Sequence, residues 1–222
     1  MSELRELLVR TAHEIADYRE GAALGRVFPD LDPGALRAAF GGPLPTGPAS
    51  PADVIDDLIA AATPGLVATT GPRYFGFVIG GALPSATAAD LLATGWDQPA
   101  YNAVSAPAAA VVEEAAGDWL KQLLGLPAAA SFGFVTGAQA ANTVGLATAR
   151  HHVLTAAGHD VERDGLIGAP HVRVLAGVER HATIDRSLRL LGFGSALIEE
   201  VAADRNGAMD VGSLREVLAA RP

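Results

Sequence analysis

Apolar side chains recur every three or four residues along much of the chain, and this spacing predicts amphipathic helices. In the first such stretch, residues 2–20, Leu4, Leu8 and Ile15 share one face. Pro, Ser or Asp stands where several helices should begin, because these residues suit the first turn or its cap. The predicted helices are 2–20, a short one from Asp32-Pro33, 51–62, one running through Leu92, 107–124, 138–156, one from about Thr183 to Gly192, and one opened by Asp210.

Short apolar runs between the later helices predict strands. They cover residues 132–135, 172–178 and 195–201, and Asn206-Gly207 predicts a tight turn after the last of them. Strands that alternate with helices of this length imply crossover connections and a mostly parallel sheet covered on both faces. The predicted fold class is therefore α/β.

The helix predicted at 107–124 has two distinct faces. Val112, Trp119 and Leu123 mark the apolar face. Lys121 lies on the opposite face with Asp118 three residues before it, and we expect it to be a surface lysine. Gly125 should end the helix.

The first third of the chain contains a proline-rich segment. Residues 28–51 hold six of the 14 prolines and predict an extended arm with one short helix. Such a segment buries little apolar surface by itself. We expect residues 1–70 to pack on another surface, such as a partner subunit.

Composition narrows the classes of function. The 222 residues are half hydrophobic and carry a net charge of −9, which disfavours a nucleic-acid binder because phosphate contacts need clustered Lys and Arg. Cysteine is absent, so disulfides, thiolate metal sites and a cysteine nucleophile are excluded. No His/Asp/Glu grouping has metal-ligand spacing. No apolar run has the length of a membrane span and the first residues do not resemble a leader, so we expect a cytoplasmic protein without membrane contacts.

The segment "SFGFVTGAQAAN" at 131–142 passes directly from a predicted strand to a helix. The first N–H groups of a helix lack intrahelical partners, so a turn of small residues at Gly137-Ala138 can hold an anion such as phosphate. The alternative is a capping box, in which Thr136 and Gln139 satisfy the helix's own backbone. The segment alone leaves both open.

A second strand-to-helix turn contains His181. It follows the predicted strand 172–178, at the edge where α/β sheets bind ligands. The alternative is an ordinary turn histidine that only hydrogen-bonds its neighbours.

Three segments, in this order, resemble the group II pyridoxal-phosphate (PLP)-dependent decarboxylases, which act on aromatic amino acids, histidine and glutamate. They are "GPRYFGFVIGGALPSATAADLL", "SAPAAAVVEEAAGDWLKQLLGLP" with "GFVTGAQAANTVGLATAR", and "ERHATIDRSLRLLG". The resemblance implies a fold-type I PLP-dependent transferase fold, in which 1–70 is a dimer-wrapping arm and 71–222 the first half of the large domain. It also implies PLP as cofactor and an amino acid as substrate.

The resemblance assigns roles to individual residues. Gly137, Ala138 and Gln139 match the phosphate cradle, although Gln139 stands where a Ser or Thr is usual and Ala140 where an acidic residue is usual. His181 matches the catalytic histidine that stacks on the cofactor ring. The matches to aromatic residues that line the substrate pocket are Tyr74, Phe75 and Phe77, with Tyr101 reaching a neighbouring subunit's site.

Two parts of such an enzyme have no match in this sequence: the Schiff-base lysine and the aspartate that pairs with the pyridine nitrogen. Lys121, the single lysine, lies mid-helix and does not suit the first role. The chain therefore resembles the N-terminal half of a decarboxylase, acting as a homodimer or with a chain that supplies the C-terminal half. The alternatives are a non-catalytic binding or dimerisation module, or a PLP-dependent aminotransferase or carbon–carbon lyase.

Overall fold

The computed structural model describes residues 2–99 and 101–220, and the chain separates into two compact units, the first of which ends at Pro99. Residues 71–99 belong to the first unit, where Gly71 N–H donates to Ala68 O and Arg19 to Ala82 O. The sequence placed the domain boundary at 70/71 instead. The boundary at 70/71 refers to the large domain of a complete decarboxylase, and it stays a prediction.

The first unit is helical. Ser2 and Ser50 cap the first and third helices by accepting from the N–H groups of Arg5 and Asp53, as polar residues at this position usually do. Its helices are α1 (Glu3–Gly21), α2 (Pro33–Phe40), α3 (Pro51–Ala62) and α4 (Pro84–Trp96), with a 3₁₀ turn at Thr63–Gly65.

Polar contacts join α1 to later segments of the first unit. Arg10 pairs with Asp56 of α3 at 2.9 Å, and the Tyr18 hydroxyl donates to Val67 O at 3.1 Å. Ala22 and Ala68, at 8% and 6% exposure, are its buried apolar side chains among the described residues. This thin core agrees with the expectation that the arm buries little by itself.

The second unit contains the α/β part of the chain. A short helix at 161–164 was missed from the sequence; Asp160 caps it by accepting from Glu162 N–H and Arg163 N–H. None of the helices within 2–99 and 101–220 is long and apolar enough to span a membrane. The elements are α5 (Pro107–Leu124), α6 (Gly137–Ala156), α7 (Val161–Asp164), β1 (Val174–Gly177), α8 (Ala182–Leu190), β2 (Ile198–Val201) and α9 (Val211–Ala220).

The strands β1 and β2 pair in parallel, with Val174 opposite Ile198 and Gly177 opposite Val201. Helix α8 connects them, as a parallel pair requires. The strand predicted at 132–135 is wrong for this structure: these residues form no β-ladder with any described strand. A strand exists only with a partner, and no described segment lies in position to pair with it.

Helices α6 and α8 pack together and form the core of the second unit with the sheet. Leu154 of α6, Leu188 of α8 and Val201 of β2 are at most 1% exposed. Ser187, also on α8, is completely buried. A buried hydroxyl needs hydrogen-bond partners, and it finds them on α6.

The polar face of α5 is partly covered in the structure. Its Gly117 is buried against the Phe132 ring, and Lys121 is only 14% exposed because its ammonium donates to Ala128 O and Ala130 O and pairs with Asp118. The apolar face is open instead, with Trp119 68% exposed. The prediction of a surface lysine was therefore wrong, since the segment after the helix folds back over it.

Candidate functional site

The start of α6 has the features of an anion-binding site. Gly137 has φ +85°, a conformation that favours glycine, and its N–H donates back to Val135 O. Among the described residues the N–H groups of Ala138 and Gln139 donate to no acceptor. The end of a 20-residue helix therefore presents open N–H donors and the positive end of its dipole.

The capping-box alternative is not realised. Thr136 makes no side-chain bond to the helix, and the Gln139 side chain turns away from it. Its amide nitrogen donates to Thr183 O at 3.3 Å and to Ser187 Oγ at 2.9 Å. Gln139 can thus offer an anion its backbone N–H, while its side-chain donors are used by α8.

The His181 turn follows β1 directly, as predicted. Arg180 N–H donates to Gly177 O to close the turn, and His181 becomes the N-cap of α8. Its Nδ1 accepts from Thr183 N–H at 3.2 Å and lies 3.0 Å from Thr183 Oγ1. The histidine is thus a helix cap, and its other ring nitrogen contacts no hydrogen-bond partner within the described part of the chain.

The two turns meet at Thr183. Its carbonyl accepts from Gln139, its hydroxyl accepts from Asn142 Nδ2 at 2.8 Å, and both its N–H and its hydroxyl contact His181 Nδ1. Two turns about forty residues apart in sequence are therefore joined by a single residue.

Sequence reasoning missed the polar layer that joins α6 to α8. Gln139, Asn142 and Thr143 stand at helical spacing on α6, and Thr183 and Ser187 do so on α8. Thr143 Oγ1 lies 2.9 Å from Ser187 Oγ. Small polar residues that repeat at i, i+3 and i+4 along one face of a helix were the available signal. One buried atom of the layer, Gln139 Oε1, has no partner in the described structure.

An ion-pair cluster supports the His181 turn. The Arg180 guanidinium donates to both carboxylate oxygens of Asp185, each at 3.1 Å, and to the Glu200 carboxylate of β2 at 2.9 Å. Hydrogen bonds from Arg180 hold the pKa of Asp185 below its usual value, while partial burial opposes this. Hydrogen bonds to Asp185, and to a smaller extent to Glu200, raise the pKa of Arg180.

The predicted pocket aromatics lie in other parts of the chain. Tyr74 packs against Phe28 with ring centroids 5.8 Å apart, whereas Phe75 and Phe77 are 92% and 87% exposed. Phe77 has φ +56°, which is rare for a bulky residue and strains the loop. Tyr101, in the second unit, is 81% exposed. Their substrate-pocket roles stay predictions.

The surface near the two turns has one further feature. A depression of about 490 Å³ is lined by Gln139, Arg186, Arg189 and Leu190. His181, Gly137 and Ala138 do not line it, so it is not the space between the turns. Within the described residues, no group of three or more His, Asp or Glu side chains could hold a metal ion.

Known proteins similar to this chain are amino-acid decarboxylases. Tryptophan decarboxylase 1 of Oryza sativa subsp. japonica is 28% identical over 98% of this chain, and the aromatic-L-amino-acid decarboxylase of Rattus norvegicus is 27% identical over 92%. This chain covers 44% of each. No protein-family model matches the chain.

Solved structures similar to this chain are also those of amino-acid decarboxylases. TDC from Oryza sativa with PLP and tryptamine matches with a TM-score of 0.84 at 26% identity, covering 98% of this chain and 48% of that one. The glutamate decarboxylase domain of a Vibrio parahaemolyticus diaminobutyrate enzyme reaches 0.89 at 25% identity, covering 99% and 48%. The predicted fold-type I fold and the resemblance to group II PLP-dependent decarboxylases are confirmed. The chain spans about half the length of the curated relatives that it matches.

Proposed function

We propose that this chain is the N-terminal half of a PLP-dependent L-amino-acid decarboxylase. It would act with a Schiff-base lysine and a pyridine-binding aspartate supplied by polypeptide outside these 222 residues. The observation that carries the proposal is the meeting of the α6 and His181 turns at Thr183. The decarboxylases found by sequence and by structure support the reaction class.

The residues present fit one end of the cofactor. The open N–H groups of Ala138 and Gln139, next to Gly137, suit a phosphate because they need an acceptor and lie at a helix N-terminus. Lys121 does not suit the imine-forming role, since carbonyl oxygens and Asp118 already occupy its ammonium.

Bound PLP supplies an electron sink that allows an amino acid to lose its carboxylate as carbon dioxide. The chain would contribute fixed geometry to this reaction. The α6 turn would hold the phosphate, and His181, whose ring is anchored through Nδ1, would lie against the cofactor ring and could donate from its other nitrogen. The exposed aromatics Phe75, Phe77 and Tyr101 would be covered by substrate or by a second subunit in a dimer.

Carbon dioxide release tests this proposal. The chain, combined with a C-terminal half that carries the lysine and aspartate, should release carbon dioxide from an aromatic L-amino acid. His181→Ala should lower kcat by about 100-fold or more, the range expected for a positioned catalytic group. His152→Ala, an exposed position on α6, serves as the control and should keep full activity.

Three other results would overturn the proposal or part of it. Cofactor absorbance without any product in every combination would favour a non-catalytic module. Transfer of the amino group without carbon dioxide would favour an aminotransferase. Full activity in His181→Ala would remove this histidine from the site.

A further inference from the structure

The hydrogen bonds around His181 determine which ring nitrogen carries the proton. A backbone N–H can only donate, and Thr183 N–H points at Nδ1 at 3.2 Å. Nδ1 must therefore be unprotonated to accept this bond. In the neutral ring the proton then lies on Nε2.

A side-chain relay adds a second donor to the same nitrogen. Asn142 Nδ2 donates to Thr183 Oγ1 at 2.8 Å, which occupies a lone pair of the hydroxyl. The hydroxyl's own proton is then free to point at His181 Nδ1, 3.0 Å away. Thr183 is only 7% exposed, so water competes little for this bond.

We infer that Asn142 and Thr183 are positioning residues that hold His181 in the tautomer with its proton on Nε2. The relay runs from the amide of Asn142 through the hydroxyl of Thr183 to the ring. It leaves Nε2–H as the donor that the site offers to an acceptor on a ligand. The inference rests on the proposed function only in treating His181 as a site residue, because the tautomer is defined without any cofactor.

Nitrogen-15 NMR of the imidazole rings tests the inference on the 222-residue chain without PLP. Loss of one pair of ring signals in His181→Gln assigns this histidine among the six. The neutral form of the wild-type ring should show an unprotonated Nδ1 and a protonated Nε2.

Asn142→Asp is the sharpest variant because it changes a donor to an acceptor with almost the same shape. A carboxylate draws the Thr183 proton to itself, so Oγ1 turns a lone pair toward Nδ1. The ratio of the Nδ1–H to the Nε2–H tautomer should rise about fivefold, the effect of losing one ordinary hydrogen bond. Thr183→Val should raise it similarly, and Thr183→Ser should restore the wild-type ratio.

Thr148→Val is the matched control, since Thr148 is an exposed α6 threonine bonded only to its own helix at Val144 O. It should leave the ratio unchanged. A wild-type ring protonated on Nδ1 would overturn the inference, as would an unchanged ratio in both Asn142→Asp and Thr183→Val. If Thr183→Val lowers helicity in circular dichroism, Asn142→Asp and Thr183→Ser decide the outcome. Failure of the tautomer test with normal carbon dioxide release would leave the proposed function standing.

Discussion

The His181 turn is held in place by one arginine. Arg180 binds Asp185 of α8 through two parallel hydrogen bonds and Glu200 of β2 through a third. Its side chain is only 17% exposed, so the charges are partly shielded from water. Bidentate pairs of this kind fix geometry better than single contacts do. The residue before His181 thus ties the turn to both neighbouring elements.

This pairing predicts a pH dependence of stability. The pKa of Asp185 is lowered in the folded chain, so its contribution is present above the unfolded pKa of about 4 and is lost as the pH falls through the lower folded value. Asp185→Asn should therefore reduce the free energy of unfolding at pH 7 and flatten its decline between about pH 5 and pH 2. Urea denaturation at several pH values measures this.

Asp164→Asn is the control. Asp164 also has a lowered pKa, because of Arg163, but these two are sequence neighbours and can pair in the unfolded chain too. Its removal should change the pH profile less. Equal profiles for the two variants would show that Arg180 does not hold the turn.

Helix α8 is the element on which the site depends, because it carries Thr183 at its start and packs on α6 along its length. Leu188 is 1% exposed, whereas Leu190, two residues later, is 73% exposed. Leu188→Ala should lower the free energy of unfolding by about 2–5 kcal/mol through loss of burial and the cavity left behind. Leu190→Ala should change it by less than about 0.5 kcal/mol.

Thermal or urea denaturation of the two leucine variants compares the same chemical change on opposite sides of one helix. Similar losses of stability in both would mean that α8 does not present this face to α6. The placement of Thr183 and Ser187 against Gln139 would then be wrong as well.

The helices were predictable because their signals are local. Pro33, Pro51 and Pro107 open helices at the expected residues, and Gly125 ends α5 with the Leu126 N–H bonded to Lys121 O. Proline at the first turn and glycine in the left-handed conformation act within a few residues of sequence. No distant partner is needed for these signals to operate.

The errors arose where distant contacts decide the outcome. Residues 132–135 have strand composition but no pairing partner among the described residues, and α5 covers its Gly117–Lys121 side because Phe132 packs there. The positions of both site turns followed from sequence. The polar layer that connects them, through Asn142 and Ser187, depends on which faces of α6 and α8 meet.

The whole chain corresponds to about half of the decarboxylases that it matches. Large apolar side chains stay exposed on it, including Leu123 at 80% and Phe134 at 52%. We expect the complementary half to cover such surface, so combining the two should raise the midpoint of thermal unfolding of this chain, as binding to the folded state requires. An unchanged midpoint in differential scanning calorimetry at micromolar concentrations would contradict this expectation.

We propose that the α6 turn and His181 hold opposite ends of one PLP-like molecule. Calorimetric titration of the chain combined with its complementary half tests it, comparing pyridoxamine 5′-phosphate with pyridoxamine. Gly137→Ala places a side chain at φ +85° and should remove much of the preference for the phosphorylated form, about tenfold for an interaction of this type. Gly145→Ala, inside α6 with open space around it, is the control and should keep that preference.

His181→Ala should weaken both compounds by similar factors, because the ring end is common to them. We predict that the two turns differ in this way. Loss of phosphate preference in His181→Ala together with its retention in Gly137→Ala would contradict it.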